Sequence, residues 1–106
     1  NSVIKLFDET LRVLAPGGVA IFETPNPMNL VVSASMFHID PTHQNPLHPE
    51  STRFLAESRG FCRVEIRPLH PEESPHRIPE STFPGAAWLN ERLFGPRDFA
   101  VIGFRA

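Results

Sequence analysis

Residues 11–27, LRVLAPGGVAIFETPNP, restrict the fold of this chain more than any other stretch. Ile4, Phe7, Leu11 and Leu14 are spaced three and four apart, which predicts a helix over Val3–Leu14 with one apolar face. Asp8 and Glu9 fall on or near the other side, and Arg12 lies close to the carboxyl end, where a cation suits the helix dipole. Pro16 cannot continue the helix, and Gly17-Gly18 permits a tight reversal. Val19-Ala20-Ile21-Phe22 is then apolar without alternation. A strand of that kind is expected to be covered on both faces, as in a parallel sheet flanked by helices. Helix, turn and buried strand in this order place the chain in the α/β class. In that class ligands approach just past the carboxyl end of such a strand, here Val19–Thr24.

The remaining elements follow from similar local signals. Asn29–Phe37 is apolar and small and reads either as a short helix or as a loop packed on the domain. Pro49 suits the first position of a helix, with Glu50 in its amino-terminal turn, Phe54 and Leu55 inward, and Gly60 as a left-handed cap. From Phe61 to Leu69 charged Arg63, Glu65 and Arg67 alternate with Cys62, Val64 and Ile66, the pattern of a strand with one wetter face near a sheet edge. Ala86–Phe94 is expected to be a short helix with Trp88, Leu89 and Leu93 inward, closed by Gly95-Pro96, and Asp98–Arg105 a last strand. The last strand follows an irregular excursion and is expected to run antiparallel.

A length of 106 residues fits one domain at most, with a modest core. Ten basic and twelve acidic residues without long runs argue against a nucleic-acid footprint and against a polybasic membrane patch. No apolar run approaches the roughly 20 residues of a membrane helix, and the expected compartment is the cytoplasm. Cys62 is the only cysteine, so the chain can form neither an intrachain disulfide nor a thiolate zinc cluster. Proline is the outlier, at twelve residues. Pro25, Pro27, Pro41, Pro46 and Pro49 mark one loop region, and Pro68, Pro71, Pro75, Pro79, Pro84 and Pro96 another, both irregular but stiff.

Taken in order, these pieces resemble the carboxyl-terminal half of class I (Rossmann-like) S-adenosylmethionine-dependent methyltransferases. LRVLAPGGVAIFETP is similar to the segment around that family's fifth strand, ESTRFLAESRGFCRVEI to the following helix, Gly-Phe turn and sixth strand, and GPRDFAVIGFRA to the antiparallel seventh. FHIDPTHQNPLHPE resembles a subgroup associated with bacterial surface-polysaccharide methylation. The resemblance implies a partial Rossmann-like domain over residues 1–106, with a three-stranded mixed sheet of order five-seven-six and flanking helices. It implies transfer of a methyl group from S-adenosylmethionine to a small-molecule or saccharide oxygen in the intact enzyme.

That family binds its cofactor on a first strand-turn-helix carrying Gly-x-Gly, with an acidic residue ending the second strand. This sequence has neither, and its glycine pair precedes a strand instead of a helix. No cofactor-binding residue is therefore expected here, and the chain alone is expected to be inactive, as a fragment or as a non-enzymatic remnant serving interaction or dimerisation. By the family's strand order, Val19–Thr24 would present an open apolar edge, and such edges template pairing. A homodimer through this edge or its uncovered faces is the expected assembly; a monomer with proline-rich loops folded over the edge is the alternative.

Among residues able to carry chemistry, His43 in the loop beyond the strand is the candidate general base, with Asp40 to orient its ring or bind substrate. The competing reading is an Asx-turn at Asp40 over Pro41-Thr42 and a packed His43. Glu23 and Asn26 at the strand end, together with His38, are candidate substrate contacts; equally, Glu23 can accept loop backbone donors and Asn26 can form a turn before Pro27. His38, Asp40, His43 and His48 lack the spacing of a helical metal site and are interrupted by prolines, so no metal is expected. Arg53 and Arg59 read as solvated helix charges before anion ligands, and Cys62 as buried and inert.

Overall fold

The computed structural model describes residues 2–41, 45–71 and 77–106. Its elements are helix α1 (Ser2–Val13), strand β1 (Val19–Pro25), helix α2 (Leu30–Ala34), a 3-10 helix (Met36–Ile39), helix α3 (Pro49–Ser58), strand β2 (Cys62–Leu69), helix α4 (Ala86–Phe94) and strand β3 (Asp98–Phe104). The ambiguous Asn29–Phe37 segment resolves into two short helices because Asn29 caps the first: its side-chain oxygen accepts from the Val31 and Val32 amides. Gly60, at φ 111°, takes the left-handed conformation that ends α3.

The strands form one sheet in the order β1–β3–β2, the order the sequence resemblance implies. Its pairing corrects the expectation of a mixed sheet. Gly17 and Gly18, before β1, exchange backbone bonds with Arg105 after β3, whereas Asn26, after β1, donates to Arg97 before β3. Arg97 also donates to His70, at the far end of β2. Both neighbour pairs are therefore antiparallel. β1 and β2 run the same way but never touch as neighbours, because the reversed β3 lies between them.

The chain forms two compact units, one comprising Asn1–Glu23, Pro49–Arg67 and Ala100–Ala106, the other Thr24–His48 and Pro68–Phe99. The core of the first is aromatic. Phe7, 2% exposed, meets Phe22 at 4.9 Å and Phe61 at 5.9 Å between ring centroids, in tilted and edge-on arrangements that favour aromatic pairs. Ala20 is buried, but Val19 and Ile21, on the opposite side of the pleat, are exposed. β1 is thus covered on one face only, where continuous apolarity had implied two. On α3 the inward residues are Thr52 and Ala56, four apart, and Phe54 is 74% exposed instead of buried. Two ties join distant segments of this unit. Arg59 grips Asp8 through two 2.7 Å bonds, which occupies the guanidinium in an ion pair. Arg105 Nη1 donates to the Leu11 and Leu14 carbonyls at 2.8 Å each, so the cation that caps α1 comes from the end of β3. Arg12 instead pairs with Glu9.

The second unit is held by asparagines. Val32, Phe37, Ala86 and Phe99 are its buried apolar residues, and Asn26, Asn29 and Asn90 are buried beside them. On α4 the buried pair is Ala86 and Asn90. Trp88 is 57% exposed with Arg92 stacked over its ring at 4.9 Å, which corrects the expectation that it faces inward.

Candidate functional site

The segment that follows β1 is built by local amide chemistry. Asn26 accepts from the Met28 amide and donates its Nδ2 to the Pro96 carbonyl at 3.0 Å. Asn29 caps α2 and donates to the Gly95 carbonyl, also at 3.0 Å. Two side chains therefore anchor residues 26–32 to residues 95–96. Between them they satisfy buried backbone groups that water cannot reach.

This anchoring leaves a cavity of about 290 Å³ in the second unit, lined by Pro25 from β1, Val32 from α2, Met36 and Phe37 from the 3-10 helix, and Arg97 and Asp98 at the start of β3. Four lining residues are apolar, and the two polar ones carry opposite charge. A concave cleft with an apolar wall and a few polar groups is a common form of small-molecule site, and this volume lies near the lower end of that class. The cavity opens at the carboxyl end of β1, where ligands of α/β sheets bind. Arg97 Nε is buried and has no hydrogen-bond partner among the described residues.

Asp98 is paired beside the cavity. Its Oδ2 lies 2.8 Å from His70 Nδ1. A carboxylate can only accept, so Nδ1 carries the proton and the neutral ring's basic nitrogen is Nε2. His70 adopts φ 53°, a left-handed conformation that costs a side-chain-bearing residue roughly 1–3 kcal/mol. The backbone is also pinned there, since the Arg97 amide donates to the His70 carbonyl. The tertiary structure therefore holds this histidine against Asp98 at a conformational cost. The arrangement is a carboxylate oriented by an imidazole at the mouth of a small cleft.

The residues expected from sequence fall differently. Asn26 is 8% exposed and has both ends of its amide engaged, the turn-forming alternative of its two readings. His38 and Asp40 are exposed near the 3-10 helix, with the His38 ring edge-on to Phe37 at 5.4 Å and Asp40 as the helix's carboxyl cap. Glu23 is exposed and belongs to the first unit. His43 lies outside the described residues. Cys62 is half-buried and donates from Sγ to the Phe104 carbonyl at 3.3 Å. Sequence reading missed His70, Asp98 and Arg97. The only sequence signal was the position of His70 and Asp98 at a strand end and a strand start, 28 residues apart.

No protein-family model and no characterised protein sequence matches the chain. Among solved structures, the fold is similar to the crystal structure of a SAM-dependent methyltransferase from Archaeoglobus fulgidus, with a TM-score of 0.85 and 28% identity. The match covers 97% of this chain and 52% of that one, so the chain spans about half the length of its structural neighbour. The fold is thus the α/β architecture found over about half of that methyltransferase.

The segment after β1 is not a glycine-rich cofactor cradle of the kind that holds S-adenosylmethionine. The turn after β1 contains no glycine, and the first free amides of α2 are taken by the Asn29 oxygen. A backbone approach to a cofactor at a glycine-rich strand-turn-helix needs both features. No helix among the described residues is long and apolar enough to cross a membrane.

Proposed function

We propose that the chain is the acceptor-side portion of a SAM-dependent methyltransferase that, when intact, methylates an oxygen of a small molecule or saccharide in the cytoplasm. The observation that carries this reading is the near-complete structural likeness to a methyltransferase of about twice the matched length. The cavity at the end of β1 supports it by offering a cleft where an acceptor could lie. His43 and Asp40 remain the proposed base and its orienting partner, with Glu23 and His38 as substrate contacts. The single thiol of Cys62, with no disulfide, fits a reducing compartment.

The test is to express the complete open reading frame that encodes this segment, measure S-adenosylmethionine binding by calorimetry, and assay methyl transfer to hydroxylated acceptors. Binding and transfer by the whole product, with neither by residues 1–106 alone, are expected. A whole product that binds no S-adenosylmethionine overturns the enzyme reading and leaves an interaction module.

A homodimer is part of the same proposal. β1 is an edge strand, with Val19 46% and Ile21 65% exposed on it. Exposed apolar edges favour pairing with a second chain. Light scattering is expected to give twice the monomer mass for the wild type and the monomer mass for Ile21→Lys; a wild-type monomer at high concentration overturns it.

A further inference from the structure

We infer that the cavity bounded by Val32, Phe37, Arg97 and Asp98 is a binding site for an uncharged, hydroxyl-bearing molecule with an apolar face, and that His70 is a positioning residue for the Asp98 carboxylate. The charges of the lining disfavour a ligand that carries a single charge. Arg97 offers only donors and Asp98 only acceptors. An ammonium group would satisfy Asp98 but face the guanidinium, and a carboxylate would satisfy Arg97 but face the Asp98 carboxylate. A hydroxyl both donates and accepts, so it suits a lining that offers donors and acceptors without repulsion from either. Pro25, Val32, Met36 and Phe37 supply the apolar wall against which the carbon skeleton of the ligand loses its water.

His70 acts through Asp98. The 2.8 Å bond from Nδ1 uses one carboxylate oxygen and fixes the rotation of the group, while further lone pairs remain to accept from a ligand. The left-handed backbone at His70 shows that the fold maintains this contact against a local preference. The inference deepens the methyltransferase reading by naming the acceptor's chemistry, and it rests on that reading only in calling the ligand an acceptor; binding itself involves no methyl donor.

The test uses the full chain and three probes of similar shape: benzyl alcohol, benzylamine and benzoate. Each is titrated while amide and methyl resonances are followed by NMR. Saturable shifts at Val32, Phe37 and Arg97 are expected with benzyl alcohol, and about tenfold weaker binding with either ion, the size of one charge-assisted hydrogen bond. No saturable shift with the alcohol, or equal or tighter binding of either ion, overturns the site. Asp98→Asn is expected to weaken alcohol binding about tenfold on the same grounds. His70→Ala is expected to weaken it in part. His70→Asn, whose side-chain N–H takes the place of Nδ1–H, is expected to restore it. Wild-type affinity in Asp98→Asn overturns the anchoring role, and failure of His70→Asn to recover what His70→Ala loses overturns the positioning role. These outcomes do not depend on S-adenosylmethionine, so they fail separately from the methyltransferase reading.

Discussion

The Asn90 side chain pairs with the backbone of Ile78 in both directions: Nδ2 donates to the Ile78 carbonyl at 2.7 Å, and Oδ1 accepts from the Ile78 amide at 2.8 Å. Asn90 is 2% exposed, so α4 uses a buried amide as though it were a short strand partner for the loop that precedes it. An asparagine amide has one donor face and one acceptor face, which is the complement of a single backbone residue.

Removing that pair leaves both Ile78 groups without their partner. Asn90→Leu is expected to destabilise the chain by about 2–4 kcal/mol, from two unmet backbone groups at roughly 1–3 kcal/mol each less the gain of apolar contact. Urea denaturation followed by circular dichroism checks this; a change under about 0.5 kcal/mol would show that the pair contributes little beyond ordinary surface substitution.

Asn29 carries two separable functions. Asn29→Asp keeps the oxygen that caps α2 and loses the donor to the Gly95 carbonyl, whereas Asn29→Ala loses both. The aspartate variant is expected to cost about 1–2 kcal/mol and the alanine variant about 1 kcal/mol more, the usual contribution of an amino-terminal cap. Equal stabilities for the two variants would count against the capping role.

Gly95 is required for space. A Cβ there would overlap the Glu91 carbonyl oxygen, a backbone atom that cannot turn aside. Its φ of −70° is open to any residue, so the effect is steric and not conformational. Gly95→Ala is expected to displace the end of α4 and to lower stability by about 1–3 kcal/mol, as overpacking does. A melting temperature equal to wild type would refute the placement.

The Asp8–Arg59 pair predicts the response to acid. The hydrogen bond from Arg59 holds the Asp8 carboxyl below its ordinary value of 3.8; desolvation opposes it and the guanidinium charge adds to it. A group depressed in the folded state stabilises it fully above the unfolded value, and that stabilisation disappears as pH falls through the folded value. Wild-type stability is therefore expected to fall below about pH 4 more steeply than that of Asp8→Asn. Parallel acid titrations of the two proteins would remove this pair as a source of acid sensitivity.

The elements were largely legible in the residues themselves. Apolar spacing located α1, a Pro-Glu start and a Gly60 cap framed α3, and alternation along Cys62–Leu69 gave β2 one wetter face. These signals are local: each depends on neighbours within one or two turns or along one pleat. The inward faces of α3 and α4 were not legible, because Thr52, Ala56, Ala86 and Asn90 are small or polar residues chosen by close packing and backbone pairing, while larger Phe54 and Trp88 were left outside.

The candidate site was legible only in its location. Chain order placed it beyond the end of β1, and the cavity does begin there, at Pro25. Its polar chemistry comes from Arg97, Asp98 and His70, which enter from the other loop region. By itself the sequence determined α1, α3, α4, the three strands and the reversal before β1, because those depend on neighbouring residues; the segment after β1 it left open. Only the tertiary structure decided the antiparallel pairing, the Arg105 cap on α1, and the union of His70 with Asp98. Such contacts join positions tens of residues apart, and they exist only once strand register and loop path bring those positions together.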